Sequence, residues 1–382
     1  MEPKIRFKGF EGEWKTSTIG EIAPLQRGYD LPTNNVISGT IPVVYSNGIL
    51  RFHNEGKCQA PAIITGRSGT IGKFTYIDHG EYWPHNTSLW VTTFHKNYPR
   101  FVYYFFQNVG FEKYATGSGV PTLNRNDIHK HIESIPSNKE EQQAIASYFT
   151  SLDSQISAST SRLASLKQMK AASLQAMFPQ EGETVPKIRF KGFEGEWKKV
   201  KLSEILTERH ENSTITDSLP QLSFTIADGV IRPEDRKSNK RDFLIKDIDN
   251  KRYLVTKVGD IIYNPANVVY GAIHRNSLMN GVVSPIYKIF TTMQDSNFIE
   301  CAVRRPSFIT KLAMCTEGTV TKLKTLKPEA FLNMEVCITP SLEEQKLIGN
   351  YFTSLDRQIS LQSQRLEKLK QIKSACLDKM FV

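Results

Sequence analysis

The sequence has few cysteines, and none of them lies in a pattern that would hold a metal or a disulfide framework. No C-x-x-C pair and no H-E-x-x-H motif occurs, and the five cysteines are odd in number and far apart. Those spacings exclude a zinc framework and a disulfide framework. The five cysteines are Cys58, Cys301, Cys315, Cys337 and Cys376. We therefore expect a cytoplasmic protein with reduced thiols.

Long apolar runs are also missing. No stretch of eighteen or more apolar residues occurs, which argues against a membrane-spanning helix. The opening M-E-P-K-I-R-F-K-G lacks the apolar segment of a signal peptide, so export is not expected. With 39% hydrophobic and 10% aromatic residues, a chain of 382 residues can build real cores and predicts two or three domains.

Catalytic motifs are absent in the same way. The stretch T-G-R-S-G-T-I-G-K-F at 65–74 has one residue too many for a P-loop, and Phe74 stands where a magnesium-binding hydroxyl belongs. The stretch Y-N-P-A-N that begins at Tyr263 lacks the second proline and the aromatic residue of the N-P-P-[YF] motif of amino-methyltransferases. No metal-binding spacing joins the eight histidines. We predict a binding protein without a catalytic or metal site.

The charge is one-sided. Lysine and arginine outnumber aspartate and glutamate 49 to 39, which gives a net charge of +10 and a pI near 9.2. Such a balance favours a polyanionic partner, because Lys and Arg that neutralise phosphates release condensed counterions. An ordinary basic protein is the alternative.

Two segments of the sequence each occur twice. P-K-I-R-F-K-G-F-E-G-E-W occurs at 3–14 and again at 186–197. E-E-Q-Q-A-I-A-S-Y-F-T-S-L-D-S-Q-I-S from Glu140 returns as E-E-Q-K-L-I-G-N-Y-F-T-S-L-D-R-Q-I-S from Glu343. The first pair is offset by 183 residues and the second by 203, so the connectors match while the stretches between them have diverged. This is a tandem duplication.

The second repeated segment is predicted to be a long helix. Its apolar residues recur every three or four positions over about three heptads, and neither Gly nor Pro interrupts the first copy. The seam residues are Ile145, Phe149, Leu152, Ile156, Leu163 and Leu166 in the first copy, and Ile348, Phe352, Leu355, Ile359, Leu366 and Leu369 in the second. So long an amphipathic helix needs a partner, and the other copy is present in the same chain. Homodimerisation is the alternative.

The stretches between the repeats are predicted to be α+β modules. Short β-type runs such as I-P-V-V-Y from Ile41 and Y-L-V-T from Tyr253 are broken by Gly, Pro and Asn. A helical stretch near Arg100 has a counterpart near Asn297. We expect four segments: a module at 1–139, a helix at 140–180, a module at 181–342 and a helix at 343–382.

Basic and amide side chains gather in the loops of both modules. Arg and Lys pair with guanine O6 and N7, and Asn pairs with adenine N6 and N7, so these loops are candidate DNA contacts. The candidates are Ser46, Asn47, Arg67, Ser68, Lys73, Asn86, Asn124 and Arg125 in the first module, and Arg236, Lys240, Arg241, Asn264, Asn267, Arg275, Lys322 and Lys324 in the second. For the glycine-rich loop that holds Arg67, an ordinary β-turn is an equal alternative.

The arrangement resembles the specificity subunit of type I restriction–modification systems. The resemblance covers nearly the whole chain and rests on two variable modules alternating with the two helices, on the F-x-G-F-x-G-E-W phrase, and on G-S-G-V-P-T-L-N-R-N-D-I at the end of the first module. The second module departs from this pattern where G-T-V-T-K-L-K replaces the glycine-serine loop.

This resemblance implies two target recognition domains joined by an intramolecular antiparallel coiled coil with an approximate two-fold axis. Each domain would read one half of a split double-stranded DNA target, and the helices would set the spacer. Two methyltransferase subunits would dock on the chain, and restriction/translocase subunits would join for cleavage. S-adenosylmethionine, ATP and Mg would belong to those partners, with no cofactor bound here. The N-terminal phrase should lie near the end of the second helix.

Two other readings stay open from the sequence. The chain could be the specificity subunit of a complex that only methylates, because a cutting subunit would be a separate chain. It could also be a coiled-coil scaffold whose modules bind proteins. Salt dependence separates the scaffold from a DNA reader, since binding through several phosphates weakens steeply as salt rises.

Overall fold

The fold was analysed in a computed structural model that describes residues 2–117, 119–236, 252–316 and 325–382. The chain divides into two compact units. Unit 1 consists of Met1–Ser161 and Gln364–Val382, and unit 2 consists of Arg162–Ser363. Each unit therefore combines one module with parts of both long helices. The predicted α+β class is confirmed.

The strands of unit 1 are short and lie between turns. They are β1 (Lys15–Thr18), β2 (Leu25–Arg27), β3 (Ile41–Tyr45), β4 (Gly48–His53), β5 (Cys58–Gln59), β6 (Ala62–Gly66), β7 (Phe74–Ile77), β8 (Glu81–Pro84), β9 (Ser88–Val91), β10 (Ala115–Thr116), β11 (Thr122–Leu123) and β12 (Ile132–Ile135). Two four-stranded sheets have the orders β2-β9-β6-β7 and β4-β3-β8-β5. Only the β3–β8 pairing among these described strands is parallel.

The helices of unit 1 are α1 (Ile19–Ile22), α2 (Pro99–Val109), α3 (Arg125–His129) and the first part of α4 (Lys139–Ala176), and residues 364–380 of the second long helix complete the unit. Proline is the first residue of α2, where its missing N–H costs nothing, and Gly110 ends the helix in the left-handed conformation with φ 72°. The apolar face of α2 is buried against the β2-β9-β6-β7 sheet and α4 in one core that also includes Phe381.

Unit 2 repeats this plan with different contents. Its strands are β13 (Lys198–Lys201), β14 (Leu206–Glu208), β15 (Asn212–Ser213), β16 (Ser223–Thr225), β17 (Gly229–Ile231), β18 (Tyr253–Thr256), β19 (Ile261–Tyr263), β20 (Ile273–Arg275), β21 (Gly281–Val283), β22 (Lys288–Thr292) and β23 (Glu335–Ile338). The sheet β14-β22-β19-β20 corresponds to β2-β9-β6-β7, and the pair β13–β23 corresponds to β1–β12.

The helices of unit 2 are α5 (Leu202–Ile205), α6 (Ser296–Val303), α7 (Pro306–Met314), α8 (Pro328–Leu332) and the first part of α9 (Leu342–Met380). Helix α6 is the predicted counterpart of α2. The Asp295 side chain caps it by accepting a hydrogen bond from the backbone N–H of Phe298 at 2.8 Å. The long helices begin at Lys139 and Leu342, one residue before the repeated segments that start at Glu140 and Glu343.

Candidate nucleic-acid interface and its framework

The repeated phrase is held to the start of the long helix by an ion pair between a half-buried arginine and a buried glutamate. In unit 1, Arg6 Nε donates to Glu141 Oε1 at 2.7 Å and Nη2 donates to Oε2 at 2.9 Å. Nη1 donates to the backbone oxygen of Gly12 at 2.6 Å, which closes the phrase on itself. The Glu141 side chain is only 2% exposed, and its hydrogen bond raises the pKa of Arg6 above the ordinary value.

The same contacts recur in unit 2 at the repeated positions. Arg189 Nε donates to Glu344 Oε1 at 2.6 Å, Nη2 donates to Oε2 at 2.9 Å, and Nη1 donates to Gly195 O at 2.6 Å. The copies also differ. Trp14 Nε1 donates to Glu141 Oε1 at 3.3 Å and Arg6 Nη2 also donates to Glu11 O at 3.2 Å, whereas Trp197 Nε1 has no hydrogen-bond partner among the described residues. The phrase is therefore a structural element that each unit uses once.

Each phrase also contacts the end of the other long helix. The Ile5 N–H donates to the backbone oxygen of Lys379 at 3.0 Å in unit 1, and the Ile188 N–H donates to that of Ala176 at 2.9 Å in unit 2. The prediction that the N-terminal phrase lies near the end of the second helix is confirmed.

The two long helices pair antiparallel in both units. In unit 1, Lys373 Nζ lies 2.7 Å from Asp153 Oδ1, and the Tyr148 hydroxyl lies 3.3 Å from Cys376 Sγ. Partner numbers therefore fall in α9 as they rise in α4. The Cys376 hydrogen bond, with burial, raises the pKa of Tyr148 to about 12.

Unit 2 carries the same pairs at equivalent positions. Lys170 Nζ lies 2.5 Å from Asp356 Oδ1, and the Ser173 and Tyr351 hydroxyls lie 2.9 Å apart. Every apolar residue that we assigned to the seam is buried or half-buried; Ile156, Leu163, Ile359 and Leu369 are half-buried, and the others are buried.

In the first module, the candidate contacts converge on the loop between β6 and β7. Gly66 begins this loop where only glycine fits, because a Cβ there would lie 1.8 Å from the backbone oxygen of Thr70. Gly69 has φ +84°, which favours glycine. Ser68 forms an isolated bridge with Thr122 of β11. The loop is thereby fixed to a second segment of the module.

Three other candidates, Ser46, Asn47 and Asn86, lie against this loop. Lys73 Nζ donates to the Asn47 backbone oxygen at 3.3 Å, and Arg67 Nε donates to the Asn86 backbone oxygen at 3.1 Å. A Cβ placed on Gly69 would stand 3.6 Å from Ser46 Oγ, so the β3–β4 turn also reaches the loop. The structure brings these residues into one cluster; Asn47 and Lys73 are exposed, while Ser46, Arg67, Ser68 and Asn86 are half-buried.

Asn124 and Arg125 lie beside the same cluster, at the start of α3. The Leu123 N–H donates to the Arg67 backbone oxygen at 2.7 Å, which places the start of α3 beside the loop. Asn124 caps α3 by accepting from the Asn126 N–H at 3.0 Å. Burial lowers the pKa of His129, and the positive charge of Arg125 lowers it further. Both candidates are exposed.

The candidates of the second module are less closely associated. Asn264 and Asn267 share the β19–β20 loop, where Asn264 Oδ1 accepts from the Ala266 N–H at 3.0 Å. Arg275 on β20 lies near an acid, with Nε 3.9 Å from Glu300 Oε2. Arg236 is half-buried, and none of the contacts among described residues joins it to the two asparagines. Lys240, Arg241, Lys322 and Lys324 lie outside the described residues.

Sequence reasoning missed three features of this site. Asp30 lies inside the first-module cluster, where it pairs with Arg27 at 3.0 Å and accepts from the Asn86 side-chain amide. Leu50 is an exposed apolar residue beside the cluster. The Arg6–Glu141 pair was also missed. The sequence did contain a signal for it, because both residues fall in segments that repeat.

Within the described ranges, no group of three or more His, Cys, Asp or Glu side chains is placed to hold a metal ion. No helix in that part of the chain is both long and apolar enough to cross a membrane.

Comparison with known proteins identifies the chain's family. The family model for the type I restriction modification DNA specificity domain matches residues 11–168 and 194–371. The chain therefore belongs to the type I restriction–modification DNA specificity family, and it is a non-catalytic specificity subunit. The repeated match also reproduces the duplication.

One solved structure agrees in fold over the whole chain. The S subunit of a type I restriction–modification system from M. genitalium matches with a TM-score of 0.70 at 15% identity, covering 100% of this chain and 99% of that one. The HsdS subunit from Thermoanaerobacter tengcongensis matches at 13% identity and TM-score 0.41, with 97% of each chain covered. A type I system structure described for complex assembly and conformational transition matches at 13% identity and TM-score 0.46, covering 97% of this chain and 98% of that one. A search among curated proteins found no match.

Proposed function

We propose that the chain selects a split DNA target, with the module at 1–139 reading one half-site and the module at 181–342 reading the other. The observation that carries this proposal is the contrast between a repeated framework and divergent contents. The Arg6–Glu141 and Arg189–Glu344 contacts agree within 0.1 Å, yet the loops carried by the two units differ in length and residues. Two copies of one framework that carry different loops are the arrangement expected of a protein that reads two unlike half-sites.

The first-module cluster has the chemistry for such reading. Arg67 and Lys73 supply positive charge for phosphates or guanine edges, and Asn47 offers an amide that can pair with adenine. Asp30 beside Asn86 adds an acceptor, which is the group that cytosine N4 requires. Phosphate contacts would set the position of the module, and base contacts would select the sequence.

The long helices act, in this proposal, as the ruler between half-sites and as docking elements. Two methyltransferase subunits bind the chain, and restriction/translocase subunits join for cleavage. S-adenosylmethionine, ATP and Mg are held by those partners, and the complex acts on DNA in the cytoplasm. The repeated helix contacts support this proposal, because two identical methyltransferase subunits would find similar helix surfaces in unit 1 and unit 2.

Methylation mapping of host DNA tests the proposal. Single-molecule sequencing is carried out with this chain present and with it deleted, while the modification partner is retained. We expect a split motif that disappears on deletion. An unchanged methylome in cells that express both proteins would contradict the function and favour the scaffold alternative.

A module exchange refines the test. Residues 15–138 are replaced with another first module, which leaves the phrase and both long helices of this chain intact. We expect one half-site to change and the other half-site and the spacer to stay. The matched control exchanges residues 198–341 and should alter only the other half-site.

A further inference from the structure

The hairpin β3–β4 presents apolar side chains to solvent next to the first-module cluster. In its register Val43 faces Arg51 and Val44 faces Ile49, so Leu50 is an extra residue in β4 without a partner. This is a β-bulge, a feature that redirects side chains and is over-represented next to functional sites. Leu50 is 57% exposed, and Ile49 and Phe52 are 44% and 52% exposed.

The bulge stands on a rigid support. Val43 and Val44 are fully buried, and β3 also pairs with β8 on its other side. The Val44 backbone oxygen accepts from the His85 N–H at 2.9 Å and from Ser88 Oγ at 3.3 Å. The position of Leu50 is therefore fixed by the sheet beneath it.

Strand β4 is an edge strand of its sheet. Edges are usually protected by charge, proline or cover, because exposed apolar edges promote aggregation. Contiguous exposed apolar residues usually mark a binding surface. Three such residues on one short edge strand therefore point to a ligand.

The charge around the hairpin indicates which ligand. Its turn contacts the basic loop through the Lys73 Nζ to Asn47 O hydrogen bond of 3.3 Å. Arg51, within β4, is exposed and has no ion pair among the described residues. Apolar side chains framed by Arg and Lys suit a duplex, where phosphates lie on either side of base edges. A two-stranded β-ribbon also fits the major groove.

We propose that Leu50 is a specificity residue that packs against the apolar C5 edge of a pyrimidine in the half-site read by the first module. This inference rests on the proposed function. It adds an aliphatic contact to the polar contacts that the first-module cluster would make with base edges. The C5 position of thymine carries a methyl group in the major groove, and apolar side chains contact it there.

The test compares methylomes of Leu50→Ser, Leu50→Met and the matched control Ile132→Ser in the intact complex. Ile132 is 60% exposed on β12 of the same unit, so its replacement makes the same kind of surface change elsewhere. We expect Leu50→Ser to relax one position of the first half-site, with discrimination there falling about tenfold. Leu50→Met should retain it, and Ile132→Ser should match the wild type. The second half-site should not change.

Other outcomes overturn the inference in distinguishable ways. If Leu50→Ser leaves the motif intact while the exchange of 15–138 alters the first half-site, the Leu50 contact is wrong and the module's function stands. If neither alters the motif, the module's function is wrong as well. If Leu50→Ser lowers methylation equally at every site and reduces subunits recovered in the complex, the patch binds protein instead of DNA.

Discussion

Arg6 and Glu141 are 135 residues apart in sequence, yet Arg6 binds both carboxylate oxygens of Glu141 at 2.7 and 2.9 Å. Removing one partner of a buried ion pair leaves the other charge buried without compensation, which strongly lowers the stability of the fold. Replacing both partners with apolar residues has a much smaller effect. The pair therefore explains why the phrase must keep its arginine in both copies. It does not explain the exposed Lys4 and Lys8, which are also identical in the repeat.

Arg6→Ala should destabilise unit 1 by about 3 kcal/mol, because Glu141 would stay buried without its partner. Arg6→Lys should not restore the loss, since an ammonium cannot form the bidentate contact. The measurement is urea unfolding by tryptophan fluorescence in a Trp197→Phe background. Trp14, Trp83 and Trp90 then report on unit 1 alone, because Trp197 is the remaining tryptophan of the sequence.

Arg189→Ala is the matched control for this change. It should weaken unit 2 and leave the unit 1 transition where it was. Separate fits are needed, since a protein with two units need not unfold in one step. A loss below about 1 kcal/mol for Arg6→Ala would show that Glu141 finds another partner or water.

The chain's last aromatic residue should be required for the core of the first module. Phe381 is 4% exposed and packs on Phe101 and Phe149, with ring centroids 5.8 and 6.0 Å apart. Phe381→Ala should cost unit 1 about 3 to 5 kcal/mol, the usual range for a buried Phe. The equivalent change Phe178→Ala should affect unit 2 instead. Urea unfolding of both variants checks this, and equal effects on both units would contradict it.

Periodic features of the fold could be predicted from the sequence, and contacts between distant segments could not. The heptad pattern predicted two long helices, because local spacing alone decides a long amphipathic helix. The segments expected at 140–180 and 343–382 cover all but the first residue of α4, which ends at Ala176, and of α9, which ends at Met380. Strands β3 and β18 were also predicted as short apolar runs. The register of β3 with β4 was not, because a bulge at Leu50 shifts it. The pairing of β3 with β8 was not, because the two strands are distant in the sequence.

The candidate site shows the same limit. Loop composition pointed to Arg67, Lys73 and Asn47, and the structure brings them together. Composition could not show that Asp30 occupies the cluster, because Asp30 lies 56 residues from Asn86 in the chain. Nor could it show that Arg275 lies near Glu300, with Nε 3.9 Å from Oε2.

Unit 2 should lose stability in acid through Glu300. Burial raises the pKa of Glu300, but its hydrogen bond with His274 and the charge of Arg304 outweigh that effect, so the pKa lies below the ordinary 4.5. A carboxylate with a lowered folded pKa contributes stability above its unfolded value and loses it as pH falls through the folded one. The contribution is thus complete above about pH 5 and fades below pH 4.5.

Urea unfolding between pH 7 and pH 3.5, followed by Trp197 fluorescence in a background without the other tryptophans, measures this loss. Glu300→Gln should lower stability at pH 7 and flatten the decline in acid. Glu181→Gln is the control, because its partner Lys311 is a surface residue and exposed pairs contribute little. An unchanged slope in Glu300→Gln would show that other carboxylates govern the decline.

The ruler hypothesis can be tested without disturbing either unit. Contacts of unit 1 hold α4 to α9 through Asp153 and Lys373, and those of unit 2 through Lys170 and Asp356. A heptad inserted after Ser161 in α4, matched by one after Ser363 in α9, therefore preserves both sets and the 3.5-residue seam. Seven helical residues add about 10 Å, which corresponds to roughly three base pairs at 3.4 Å each.

Methylation mapping should then show both half-sites unchanged and a spacer longer by about three base pairs. A heptad inserted in α4 alone is the control, and it should abolish methylation because one helix would have no matching partner. If the double insertion assembles, methylates and keeps the original spacer, the helices do not set the distance. The distance would then have to be set by the subunits that dock on them.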